Sequence, residues 1–249
     1  MGRIGIIDWG IGGIGIYRRL KERSPLAVVT YFSDTGFTPY GKTTRRELIS
    51  RLNGVLRFLE DRSVTQVCIG CNAASTVVDE LHNGALEVSG VIAPAIEFVA
   101  KQRPTRLGLI GGRRTVVSGV YRRGFAARNI SLKQRVAQPL SGLIESGDAD
   151  STILHREAKH ILAPLKNCSH ILLACTHYPA ISGLLANYVS PQTKFIDPAD
   201  AVVRKLRIGK QNEPGRDIFL TSGNSDNMLL ATKAAWNIDL RSAKHVERI

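Results

Sequence analysis

Aromatic side chains make up only 6% of the 249 residues, and cysteine occurs four times. Four thiols are too few for a disulfide-stapled scaffold, so Cys68, Cys71, Cys168 and Cys175 are expected to stay reduced. The low aromatic content and the lack of a recognisable nucleic-acid module weaken a nucleic-acid-binding reading. No run of 18 apolar residues occurs, so no membrane span or membrane partner is expected. The opening residues Arg3-Ile4-Gly5-Ile6-Ile7-Asp8 show no charged leader, apolar stretch and cleavage site, and the expectation is a cytoplasmic protein. Acid is scarce: 21 Asp and Glu stand against 34 Lys and Arg, a formal charge of +13. That balance draws anions, be they nucleic acid, acidic lipid or a small carboxylate. The excess is local, because residues 101–135 hold ten basic side chains and no acidic one. Arg113 and Arg114 of that segment are expected near a cleft, while the others form a basic flank open to a nucleic acid or protein partner.

What is present is a core. With 43% hydrophobic and 22% charged residues the chain is globular, of one or two domains. Short β-branched runs alternate with amphipathic stretches, the rhythm of a mostly parallel sheet covered by helices on both faces. Strands are expected at 4–8, 27–32, 66–69, 90–92, 106–110, 170–174 and 194–196, and helices notably at 44–59, 74–81, 93–100, 115–127, 151–165 and 226–236. Ligands of such sheets bind at the carboxyl ends of strands.

An internal repeat organises these elements. Arg3-Ile4-Gly5-Ile6-Ile7 recurs as Arg106-Leu107-Gly108-Leu109-Ile110, Tyr17-Arg18-Arg19 as Tyr121-Arg122-Arg123, and strand-end Cys71 as Cys175, at offsets of 103 or 104. The pattern predicts two pseudo-symmetric three-layer α/β domains with the active site in the cleft between them. The first would comprise residues 1–99 with 210–249, the second residues 100–209, with the return crossing at Lys210–Arg216.

Two constellations compete for the chemistry. Gly10-x-Gly12-x-x-Gly15 follows a strand, opens a helix and is succeeded by Asp34, which formally satisfies a dinucleotide-binding pattern. Asp8 beside it would repel a pyrophosphate, and a tight turn presenting its backbone to a small anion is the simpler reading. The cysteines speak more strongly. Cys71-Asn72-Ala73-Ala74-Ser75 and Cys175-Thr176-His177-Tyr178-Pro179 each put a thiol at a strand end, and two thiols facing one cleft can deprotonate a carbon on one side and reprotonate it on the other. A thiol suits this work because its ordinary pKa is about 8.5 and neighbours shift it readily. His177 is the natural partner of Cys175, and Asp8 of Cys71 if the first strands are adjacent. Cys68 and Cys71 would point to opposite faces, which argues against a metal or redox pair; Cys68 and Cys168 read as core, and His82, His155, His160 and His170 as surface or core residues.

These segments, together with Asp8-Trp9-Gly10-Ile11-Gly12-Gly13, Tyr31-Phe32-Ser33-Asp34-Thr35, Pro39-Tyr40-Gly41 and Gly111-Gly112-Arg113-Arg114-Thr115-Val116, resemble the glutamate racemase branch of the aspartate/glutamate racemase family. The resemblance implies a cofactor-independent, metal-free two-base racemase acting on a small acidic amino acid, and a homodimer. It implies that Cys71 takes the α-proton of the D-substrate and Cys175 that of the L-substrate, with Asp8 assisting the first thiol, His177 the second, and Glu145 supporting His177. Trp9, Pro39, Tyr40, Gly41, Asn72, Ala73, Ser75, Thr115 and Thr176 would surround the substrate.

Three positions depart from the family pattern: Trp9 replaces a serine, and Ala73 and Gly112 replace threonines. All three changes remove hydroxyls, so the acids and bases are kept while the substrate cradle is rewritten. Aspartate therefore contends with glutamate as substrate, and Arg113 and Arg114 are candidates to supply compensating charge. Two other readings stay open: a thiol-dependent decarboxylase or isomerase of another carboxylate, and a non-catalytic basic homologue.

Overall fold

The computed structural model describes residues 3–208, 215–247 and 249. The chain opens β1 (Arg3–Asp8), α1 (Ile14–Arg23), β2 (Val29–Ser33), α2 (Arg45–Glu60), β3 (Val64–Ile69), α3 (Asn72–Ser75), β4 (Glu87–Gly90) and α4 (Ile92–Gln102). It continues β5 (Leu107–Gly111), α5 (Arg113–Ser118), α6 (Val120–Ala126), β6 (Leu132–Val136), α7 (Gln138–Glu145), α8 (Thr152–Leu162), β7 (His170–Ala174), α9 (Ser182–Ala186) and β8 (Lys194–Ile196). It closes with α10 (Ala199–Lys205), β9 (Ile218–Thr221), α11 (Ser225–Trp236) and β10 (Lys244–His245). The expected return crossing lies outside the described residues apart from Gly215 and Arg216.

Two sheets result, ordered β10-β9-β2-β1-β3-β4 and β6-β5-β7-β8. Every pairing is parallel. The run β2-β1-β3-β4 matches β6-β5-β7-β8 position for position, which is the internal repeat in three dimensions. Alternation along each strand then fills both faces. In the first lobe Ile4, Ile6, Tyr31 and Cys68 pack under α1, α10 and α11, while Ile7, Phe32, Val67 and Ile69 pack against α2. In the second, Ile110, Ile171 and Leu173 face α7 and α8, and Leu109, Leu172 and Ala174 face α4 and α6. Two helices cross the seam in sequence: Ala95, Ile96 and Val99 of α4 sit in the second lobe's core, and Val202 and Val203 of α10 in the first lobe's.

Several element boundaries differ from those expected. The strand expected at 90–92 lies at β4, and the apolar run from Ile92 is helical, with Pro94 in the first turn, where its missing N–H costs nothing. The helix expected at 74–81 shrinks to α3 and one 3-10 turn at Val78–Glu80, because β-branched Thr76, Val77 and Val78 crowd a helix. The helix expected at 115–127 breaks into α5 and α6 at Gly119, whose φ of 70° only glycine adopts cheaply. Strands β6, β9 and β10 were absent from the expected set. Among the described residues no helix is long and apolar enough to cross a membrane.

Ile6 and Leu109 hold equivalent places in β1 and β5 and are fully buried. Truncating either to alanine is expected to cost about 2–5 kcal/mol, lowering Tm by roughly 4–20 °C at about 2–4 °C per kcal/mol. Thermal denaturation of the two variants checks this, and a large drop for one alone would show that the lobes are not equivalent.

Candidate active site

Parallel strands send all their carboxyl ends one way, and the two lobes bring those ends together. Cys71 follows β3 and Cys175 follows β7, and both thiols line one cavity of about 420 Å³ with Asp8, Thr176 and His177. The surroundings of the two thiols differ. Cys175 Sγ lies 3.7 Å from His177 Nδ1, and His177 Nε2 lies 2.6 Å from Glu145 Oε2. Burial of His177 favours the neutral ring, yet the bonds to Cys175 and Glu145 outweigh it and hold this imidazole well above its ordinary range. Cys71 has no such partner. Burial raises its thiol strongly and the Asp8 charge adds to that, against weaker support for the thiolate from the Ala74 and Ala73 amides.

Asp8 does not hydrogen-bond to Cys71. Its Oδ1 accepts from the Gly10 N–H at 3.0 Å and its Oδ2 from the Thr176 hydroxyl at 2.7 Å, so it ties the first lobe to the second. Burial pushes its carboxyl up, opposed first by the His177 charge.

The glycine loop serves this seam. A Cβ on Gly10 would fall on the Glu145 carboxylate, and one on Gly12 would lie 2.6 Å from both His177 Nδ1 and Thr176 Oγ1. Gly15 makes room for the Trp236 ring, whose indole N–H caps the carbonyl of Ile11. The small anion that this turn receives is Glu145 itself, accepting the Ile11 N–H at 2.9 Å. Asp34, the acid that completed the nucleotide pattern, is buried under Arg51, Tyr40 and Ser222.

The other expected site residues divide. Trp9, Pro39, Tyr40, Gly41, Asn72, Ala73, Thr115 and Thr176 line the cavity. The indole N–H of Trp9 is spent on the Phe37 carbonyl at 2.9 Å, so this residue brings an apolar ring where a serine would bring a hydroxyl. Asn72 accepts from the Tyr121 hydroxyl at 2.7 Å, which leaves its buried Nδ2 without a protein partner. Ser75 is corrected: its hydroxyl donates to Ile69 O of β3 and accepts from Val91 N at the start of α4, and Ser75 is not on the cavity wall. Glu145 stands behind His177 rather than on the wall. Arg113 and Arg114 are likewise absent from the wall. Arg114 instead donates to the carbonyls of Tyr40, at 2.8 Å, and Thr43, clamping the first lobe's loop to the second lobe. Sequence reading missed Gln138, Pro139, Ser141 and Gly142 of α7 and Lys42 at the rim. Gln138 follows the carboxyl end of β6 by two residues, as Cys71 follows β3, so the strand-end rule missed this wall only because β6 was not among the expected strands. Among the described residues no group of three or more His, Cys, Asp or Glu is placed to hold a metal ion.

Two matched parallel α/β lobes thus place a thiol from each in a shared cleft. A family model for Asp/Glu/Hydantoin racemase matches residues 4–206, and the chain belongs to that family. It is 32% identical over 214 residues to the glutamate racemase of Desulforudis audaxviator, covering 83% of this chain and 78% of that protein. A glutamate racemase structure from Francisella tularensis in complex with D-glutamate superposes with TM-score 0.86 at 23% identity, covering 99% of this chain and 97% of that one. An aspartate racemase structure from Picrophilus torridus is more distant, with TM-score 0.65 at 19% identity over 81% of this chain and 91% of that one. At these identities the structural likeness is one of fold.

The tightness of the seam is testable. Gly12→Ala must displace His177 or Thr176 and is expected to lower kcat/KM about 100-fold while the protein remains folded by circular dichroism. A near-native kcat/KM would show that the seam has slack.

Proposed function

We propose that this protein interconverts the L and D forms of an acidic amino acid, glutamate first and aspartate second, by two-base proton transfer without a cofactor. The observation that carries the reading is the pairing of Cys71 and Cys175 on equivalent strand ends, in one cavity, with only one of them in a hydrogen-bonded line to an imidazole and a carboxylate. Names of the relatives favour glutamate. The lost hydroxyls at positions 9, 73 and 112 keep aspartate in contention.

In the L-to-D direction the Cys175 thiolate, beside the protonated His177, removes the α-proton. The electron pair passes into the substrate's α-carboxylate as the α-carbon flattens. Asn72, which lines the cavity and whose buried Nδ2 has no protein partner, is placed to hydrogen-bond the charge that builds there. Cys71, kept protonated by burial, delivers its proton to the opposite face and becomes the thiolate. The reverse reaction exchanges the two roles. Asp8 holds Thr176 and repels a second negative charge near Cys71, which favours one thiolate at a time. In this reading residues 1–99 with 210–249 and residues 100–209 act as two domains, with α4 and α10 packed across the division. A homodimer in the cytoplasm accompanies it, and sedimentation of the purified protein tests the dimer.

Chiral chromatography of reactions in heavy water tests the activity. Early product is expected to carry deuterium at Cα while unreacted substrate carries none, and Cys71→Ala and Cys175→Ala are each expected to lose about 100- to 10,000-fold in rate. Racemisation that survives both substitutions would sink the two-base scheme.

The pH profile gives a second check. His177 is held charged above its ordinary pKa, so its proton is lost only as pH rises through that raised value, and activity falls there. Glu145→Gln removes the anion that favours the imidazolium, and the alkaline limb of kcat/KM is expected at lower pH. The shift must be equal in both directions, because the equilibrium constant of a racemisation is one. An unmoved limb would remove His177 from the proton path.

A further inference from the structure

The α7 wall of the cavity contains one group with chemistry to spare. Gln138 Oε1 accepts the Arg113 N–H at 3.0 Å, which fixes the orientation of the carboxamide, since an NH₂ nitrogen cannot accept there. Its Nε2 donates to Ser141 Oγ at 3.1 Å, and Ser141 in turn donates to the Gln138 carbonyl. One Nε2 proton is thereby used. The other has no acceptor among the described residues, and Gln138 lines the cavity.

Asn72 is its counterpart from the first lobe. There too the amide oxygen is taken by the protein, by the Tyr121 hydroxyl, and the NH₂ is left without a partner. Two carboxamides thus meet the cavity from opposite lobes, each with its oxygen occupied and donor capacity free. Carboxylates accept and do not donate, so a ligand with two of them fits this pair. Asn72 adjoins Cys71 in the chain and so serves the carboxylate on the reacting carbon. Gln138 sits elsewhere, beside Gly41 and Gly112: a Cβ on Gly112 would come within 3.1 Å of Oε1, and one on Gly41 within 3.3 Å. Gln138 therefore occupies the volume that a side chain at position 112 would need, and the two positions are coupled.

We infer that Gln138 is the specificity-determining residue that reads the side-chain carboxylate of the substrate, in place of a hydroxyl at position 112. The inference rests on the racemase reading for its choice of ligand, and a binding experiment separates the two. Calorimetry of the full-length protein with D-glutamate and with D-norvaline, which has the same carbon chain without the distal carboxylate, is run beside the racemisation assay. Gln138→Leu is expected to weaken glutamate binding about 10- to 100-fold, the loss of a hydrogen bond to a charged group, and to raise KM by a similar factor with kcat changed much less. Norvaline binding should hold or improve. Gly112→Thr in the presence of Gln138 crowds the amide and should also weaken glutamate binding, whereas Gly112→Thr with Gln138→Ala should recover it. That double variant guards against a misfolded Gln138→Leu protein. Equal losses for glutamate and norvaline, an unchanged glutamate affinity, or no glutamate binding by the unaltered protein would each overturn the inference. Selective binding of glutamate without racemisation would uphold Gln138 and defeat the racemase reading.

Discussion

One carboxylate oxygen holds the working parts together. Glu145 Oε2 accepts the Ile11 N–H of the first lobe and lies 2.6 Å from His177 Nε2 of the second. A buried imidazolium without a partner would lose its proton or unfold its surroundings. Here the carboxylate compensates the charge, and the glycine turn lets it approach closely enough to do so. The Asp8 to Thr176 bond repeats the arrangement in mirror fashion, with the anion on the first lobe and the donor on the second. Each lobe thus supplies an acid that the other satisfies, and the cleft can form only when both halves are docked.

The scaffold is symmetric and the chemistry is not. Strands β1 and β3 correspond to β5 and β7, and the thiols that follow β3 and β7 enter one cavity from two sides. Yet Cys175 lies beside His177, whose ring is held charged, while burial and the Asp8 charge push the Cys71 thiol up, so the two sites differ electrostatically. The repeated tyrosines have likewise diverged. Tyr17 bonds to Asp217 at the edge of the first lobe, whereas Tyr121 crosses the cleft and orients Asn72. A repeated fold supplies matched positions, and the side chains around them give each a different environment.

Much of this was legible beforehand where the physics is local. Short, near-continuous apolar runs marked β1, β3, β5 and β7, as expected of parallel strands covered on both faces. The repeat offset identified which cysteines belong together. Strand β6, reading Leu-Lys-Gln-Arg-Val, escaped because an edge strand half open to solvent lacks a fully apolar signature. Ser75 shows a related limit: a hydroxyl four residues after a strand-end thiol looks alike in sequence whether it meets a ligand or, as here, bridges Ile69 and Val91. The nucleotide-like glycines were read correctly as a turn for a small anion, but nothing along the chain could say that the anion would come from residue 145.

The amino-acid sequence by itself determined the two-lobed parallel architecture, the matched thiols and the family, because apolar runs, strand-end residues and repeated segments can be read directly along the chain. Only the tertiary structure decided how Asp8, Glu145 and Arg114 are employed. Each is bonded across the cleft to the other lobe, to Thr176, to Ile11, and to the carbonyls of Tyr40 and Thr43. The same holds for the coupling of Gln138 to Gly112. Contacts between groups tens to well over a hundred residues apart depend on how two sheets dock, and no local pattern encodes that geometry.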